Sequence, residues 1–212
     1  MFKDKNNDMA ITYAITLYFD NITTEQIRTL TADLAAVTKN DYMIANSVPP
    51  HLTLGMFHAE DAELEKLKEL FCEFVSAAKC ELGGLDFPVA FDGPDNFLDK
   101  VIFLKPGDTC RPTLYRLNEL LHQLFLPHFE PADNRNYLPG NWVPHVALAV
   151  KLNGESFTKG MDFLKNAQGI GGAPEALRSN GGEGRNPVKP GLPQGRCAQI
   201  GLARCNPYTP VV

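Results

Sequence analysis

Cysteine is sparse and unpatterned: five residues in 212, at positions 72, 80, 110, 197 and 205, with no C-x-x-C pair. An odd count without regular spacing argues against a zinc ribbon and against a disulfide framework, and points to reduced thiols. Long apolar runs are missing too; none approaches the roughly 18 residues that cross a bilayer, so no membrane association is expected. A surplus of positive charge is also lacking. The formal net charge is −5 and the sequence pI about 5.5, whereas proteins that grip long nucleic acids are basic. Extended DNA binding is therefore excluded, and any nucleic-acid partner should be a small piece. The first eight residues, Met1 to Asp8, are too polar and acidic for a signal peptide, which gives a cytoplasmic expectation.

What is present is ordinary globular material. Apolar residues make up 44% and charged residues 21% of the chain, enough for a core. Ile11 to Phe19 is β-branched and aromatic and predicts a strand. Thr23 to Lys39 carries Ile27, Leu30, Leu34 and Val37 at helical spacing, with Thr23 or Thr24 as the expected cap. Pro49-Pro50 stops the chain before a strand over His51 to Phe57. A helix is predicted over Asp61 to Lys79, then strands over Glu81 to Phe91 and Val101 to Lys105. The pattern repeats with a helix over Thr109 to Phe129, a strand over His145 to Lys151 and a short helix over Ser156 to Asn166. A last strand is expected over Cys197 to Cys205, with Asn206-Pro207-Tyr208 closing it. Interleaved elements with hairpin-like neighbours predict an α+β fold in one domain, 1–212, built as two lobes.

One segment stands apart. Asn166 to Arg196 holds eight glycines and four prolines in 31 residues, a composition that supports no regular element for long. Arg178, Arg185, Lys189 and Arg196 outnumber Glu175 and Glu183. A basic flap over an anion is one reading; a solvated loop is favoured by base rates for long loops.

Two strands open on the same pattern: Pro50-His51-Leu52-Thr53-Leu54 and Pro144-His145-Val146-Ala147-Leu148, 94 residues apart. Strand side chains alternate between faces. His51, Thr53, Gly55 and Phe57 should then share one face, as should His145, Ala147, Ala149 and Lys151, leaving a small-residued, polar face around two histidines. Imidazole titrates near pH 6.5. One neutral ring can serve as general base while one protonated ring serves as general acid, as opening a cyclic phosphate demands. Thr53 lies two residues along from His51, about 6.6 Å at strand rise, placed to donate to a phosphate oxygen. The scheme needs no metal and no cofactor. A lone histidine at a strand start is more often a surface residue; the matched pair reverses that balance. His58 is expected just past the strand, His122 on an exposed helix face and His128 at a helix end. Phe57 and Trp142 are candidates to stack on a base, with packing as the other reading. Thr16 and Tyr18 are weaker cleft candidates, and Lys151 is expected as a solvated strand-end lysine.

His51-Leu-Thr53-Leu and His145-Val-Ala147-Leu resemble the paired H-x-T/S-hydrophobic motifs of the two-histidine (2H) phosphoesterase superfamily, which includes RNA 2′,5′-ligase-like proteins and cyclic phosphodiesterases. Trp142 before Pro144-His145 fits that second motif. The resemblance implies a bilobal α+β fold in which antiparallel sheets face a central cleft with helices outside. It implies a metal-independent phosphodiesterase acting on a 2′,3′-cyclic phosphate or a 2′-5′ linkage. His51 and His145 would be catalytic, with Thr53, Phe57 and Trp142 binding the substrate. The partner would be a small cyclic nucleotide or an RNA end, met by a monomer. Ala147 departs from the pattern where Thr or Ser is expected. That departure motivates an alternative, a nucleotide- or RNA-end-binding protein with little turnover. A purely structural domain would instead keep the two imidazoles apart.

Overall fold

The computed structural model describes residues 10–167, 192–205 and 208–212. The elements run β1 (Ile11–Phe19), α1 (Asn21–Thr38), α2 (Tyr42–Ala45), β2 (His51–Ala59), α3 (Leu64–Leu82), β3 (Phe87–Phe97), β4 (Val101–Pro106), α4 (Arg111–Phe125), β5 (Glu130–Pro131), β6 (Val146–Ala149), α5 (Gly154–Ala167), β7 (Gln194–Arg204) and β8 (Thr209–Pro210). The α+β expectation is borne out. All strand pairs are antiparallel, in the order β5-β2-β1-β7-β3-β4-β6, with β8 on β7.

The two lobes are joined through β3. Its first half, Phe87 to Ala90, pairs with β7, and its second half, Phe91 to Phe97, pairs with β4. The sheet curls so that β2 and β6 approach without pairing. Two helix pairs cover it: α1 on α5, and α3 on α4. No helix of the described residues is long and apolar enough to cross a membrane.

Local expectations needed adjustment. Asp20, not Thr23 or Thr24, caps α1; its carboxylate accepts from the Thr23 amide at 2.8 Å and from the Thr23 hydroxyl at 2.9 Å. Helix α3 runs on to Leu82 and ends at Gly83, whose φ of 68° supplies the left-handed turn. Strand β3 continues through the polar run Asp92 to Asn96, because pairing with β4 outweighs its turn-like composition. Leu98 and Asp99, both at positive φ, are the central residues of the turn between them, which the Lys100 amide closes on the Phe97 carbonyl at 2.9 Å. Arg196 belongs to β7 and pairs with Asp86 rather than joining a flap. Arg178, Arg185 and Lys189 lie outside the described residues.

The two motif strands share an irregularity. In β1, Tyr13, Ile15, Leu17 and Phe19 alternate into the core without a break. Their partner β2 carries one extra residue: Thr16 opposes Thr53 while Ile15 opposes Gly55, so Leu54 is a β-bulge. In β6 the same thing happens at Leu148, between Ala147 opposite Phe103 and Ala149 opposite Ile102. Each bulge falls on the fourth residue of the motif and flips the strand's parity. Phe57 therefore turns into the core, fully buried, with Phe125 at 4.9 Å and His122 at 5.3 Å between ring centres. Its expected place on the histidine face is corrected, as is that of Ala149, which is 2% exposed within the core.

Helix α4 presses on this bulge. A Cβ at Gly55 would lie 2.8 Å from Leu121 Cδ2 and 3.1 Å from His122 Cε1. Both neighbours are buried, so neither can step aside freely. Gly55→Ala is expected to destabilise the protein by about 1–3 kcal/mol, the usual cost of overpacking. Urea unfolding measures it, and an unchanged midpoint would show that α4 yields.

Candidate active site

His51 is the first residue of β2, and His145 immediately precedes β6. The same local device orients both rings. His51 Nδ1 lies 2.8 Å from the Pro49 carbonyl, and His145 Nδ1 lies 2.8 Å from the Val143 carbonyl. A carbonyl only accepts, so Nδ1 carries the proton in both rings and Nε2 is left as the working nitrogen. The proline before each histidine has a part in this. Pro49 and Val143 each precede a proline, which restricts them to extended backbone and fixes their carbonyls. Neither Nε2 has a hydrogen-bond partner among the described residues.

The rings sense one another. Burial lowers the pKa of His51 below the ordinary 6.5, the Pro49 bond opposes this, and charge on His145 lowers it further. Burial likewise lowers His145, against the Val143 bond and the Asp133 carboxylate, which favour its protonated form.

Strand pairing sets the surroundings of His51. Tyr18 opposes it and Thr16 opposes Thr53, so these weaker candidates do share its face. Thr53 is 8% exposed. Tyr208 lies with its ring 5.5 Å from His51 and its hydroxyl bonded to that of Tyr18.

Around His145, Phe97 meets the imidazole edge-on at 5.0 Å, with Phe103 at 5.3 Å and Tyr137 at 6.5 Å. A pocket of about 450 Å³ opens here, bordered by Phe97, Asp133, Tyr137, Trp142, His145 and Ala147. Another of about 400 Å³ lies between α1, α2 and the Pro49-Pro50 turn. Ala147 borders both. Trp142 is only 5% exposed and packs edge-on against Tyr115 at 5.9 Å. It contributes to the pocket wall rather than offering an open face for stacking.

The remaining histidines sit elsewhere. His122 is buried at 2% exposure against Phe57, not exposed as expected: α4 turns that face onto the β2 bulge. His58 lies within β2, 3.3 Å from the Thr12 hydroxyl. Lys151 extends over the Tyr42 ring at 4.0 Å. Sequence reasoning missed Tyr137 and did not weigh Tyr208, since both reach the site from irregular segments without a periodic signal. It also missed Asn118. This buried amide donates to the Leu54 carbonyl at 2.7 Å and to the Tyr137 carbonyl at 2.8 Å, tying the first motif to the loop before the second. Among the described residues no group of three or more His, Cys, Asp or Glu side chains converges.

Each motif braces one imidazole in the same way, and the two rings lie near enough for charge on His145 to act on His51. The sequence profile of the 2′-5′ RNA ligase superfamily matches residues 19–168, and the chain belongs to that superfamily, a branch of the 2H phosphoesterases. Its members are phosphodiesterases and ligases. The crystal structure of E. coli LigT complexed with 3′-AMP superposes with a TM-score of 0.53 at 16% identity, covering 96% of each chain. That likeness shows the fold. Kluyveromyces marxianus Usb1 gives 0.48 at 16% identity, over 94% of this chain and 97% of that one, a likeness too distant to carry weight. No curated protein matches the chain in sequence.

The lowered pKa values of His51, His122 and His145 fix the sign of a stability effect. The unfolded chain takes up these protons first, so stability is full above about pH 6.5 and declines as pH falls through it. It levels off only below the folded values. The urea midpoint should drop between about pH 7.5 and about pH 5.5, and NMR should show all three rings titrating below the ordinary value. A flat midpoint with ordinary titrations would mean that the rings are hydrated.

Proposed function

We propose that the protein is a metal-independent phosphodiesterase that opens a 2′,3′-cyclic phosphate, or cleaves a 2′-5′ linkage, at an RNA end or on a small nucleotide. The observation that carries this is the matched bracing of His51 and His145, each with Nδ1 held by the carbonyl two residues earlier. That leaves two equivalent basic nitrogens for one proton to shuttle between. Nε2 of one ring removes a proton from the attacking water, and the protonated Nε2 of the other delivers one to the departing sugar oxygen. The pair ends with its protons exchanged and none lost.

The surroundings support an assignment of roles. Asp133 favours a proton on His145, and charge on His145 disfavours one on His51. His145 is thus the acid and His51 the base for hydrolysis. Thr53 holds a non-bridging oxygen. Phe97 and Tyr137, with Trp142 behind them, form an apolar wall beside His145 that suits a flat base. The small size of the site and the acidic chain suit a monomer that takes nucleotides or ends in the cytoplasm rather than long polymers.

His51→Ala or His145→Ala should cut hydrolysis of 2′,3′-cyclic AMP by at least about 100-fold. An aryl phosphodiester with a p-nitrophenolate leaving group needs no proton on departure. His145→Ala should therefore retain activity on it, while His51→Ala does not. Because both rings have lowered pKa values, kcat/KM should start to fall on the alkaline side below about pH 6.5. Turnover that survives both alanine variants overturns the mechanism. Tight binding of the cyclic nucleotide with no product at high enzyme concentration would favour the non-catalytic binder instead, which the missing hydroxyl at position 147 motivates.

A further inference from the structure

We propose that the phenol of Tyr137 replaces the hydroxyl missing at position 147, donating a hydrogen bond to a non-bridging oxygen of a phosphate held between the two histidines. This rests on the phosphoesterase reading above. The first motif supplies a histidine and a hydroxyl, His51 and Thr53; the second supplies His145 and only the methyl of Ala147. A phosphate clamped from one side alone would leave an anionic oxygen unpaired in a partly buried site, where charged hydrogen bonds matter most.

Tyr137 stands beside both residues of the second motif. It borders the same pocket as Ala147 and His145, and its ring centre is 6.5 Å from the imidazole. Its hydroxyl faces Thr53, the hydroxyl that the first motif retains. The Thr53 and Tyr137 hydroxyls therefore lie side by side, next to His51 and His145 respectively. The position is built rather than incidental. Asn118 grips the Tyr137 carbonyl at 2.8 Å and the Leu54 carbonyl at 2.7 Å, so one buried amide sets the tyrosine relative to the residue after Thr53. Burial, with the nearby Asp133 charge, pushes the phenol far above the physiological range. It stays protonated and remains a donor at any pH at which the histidines work. Asp133 also borders the pocket but can only accept from the anion's protons, and the Cys205 thiol is a weak donor.

The test is a cycle of wild type, Tyr137→Phe, Ala147→Ser and the double variant. Two readouts are taken on the full chain: kcat/KM for 2′,3′-cyclic AMP, and affinity for inorganic phosphate followed through the histidine NMR signals. Tyr137→Phe keeps the ring, so its unfolding midpoint should stay near that of wild type. Both readouts should fall roughly ten- to 150-fold, the loss of one hydrogen bond to a charged group. Ala147→Ser should restore most of that loss in the Tyr137→Phe background, yet add little to wild type, where the place is taken. Tyr137→Phe indistinguishable from wild type overturns the proposal. So does a loss that Ala147→Ser fails to rescue, since the phenol would then only support its protein neighbours. Failure of the phosphoesterase reading looks different: wild type itself would turn over nothing and the histidine variants would match it. The phosphate-affinity cycle would still decide the role of Tyr137.

Discussion

A strand that must face a cleft at its start and a helix further on has to change parity, and the whole site depends on how this protein does so. The bulges at Leu54 and Leu148 each insert one residue just after the motif. Before the bulge, His51 and Thr53 point away from the core; after it, Gly55 and Phe57 point into it beneath α4. Without the extra residue, either Phe57 would lie in the cleft or Ile15 and Tyr13 would lose their partners in the core. The bulge lets one nine-residue strand present its histidine at one end and pack under α4 at the other.

The same duplication governs the chemistry. Each imidazole is held from behind by a carbonyl whose own freedom is removed by the following proline. Bracing through Nδ1 sets the tautomer, and burial lowers the pKa of both rings below the ordinary imidazole value. On the proposed reading, a bound phosphate would supply the negative charge that favours a proton on one ring. Within the protein, Asp133 is the carboxylate that biases His145 toward its protonated form.

The symmetry is incomplete, and the departures are informative. The second lobe has a methyl where the first has a hydroxyl, and it compensates with bulk and aromatic surface: Phe97, Phe103, Tyr137 and Trp142 gather around His145. On the other side, His51 is paired with Tyr208, Tyr18 and Thr16, a more polar set joined by hydroxyl contacts. Two similar frames thus surround their histidines with unlike walls. Asn118 links the lobes by spending both of its donors on backbone carbonyls that strand pairing leaves open.

The main strands and helices were legible in the sequence because periodicity survives whatever the tertiary context. So was the histidine pair, because a repeated Pro-His pattern is a local feature. The errors share one cause. Phe57 was placed by unbroken alternation, but a bulge arises from registry with a neighbouring strand and leaves no mark in the strand itself. His122 was placed outward by its polarity, yet α4 buries it against that bulge at 2% exposure. The strand expected over Glu81 to Phe91 starts later and runs further, because pairing with β4 alongside carries β3 on to Phe97. Sequence alone determined the duplicated Pro-His pattern and hence the candidate pair His51 and His145, since residue type and local spacing are intrinsic to the chain. The tertiary structure decided which side chains meet them. Tyr137 and Asn118 reach the site through contacts between segments far apart in the chain, set by packing rather than by any local rule.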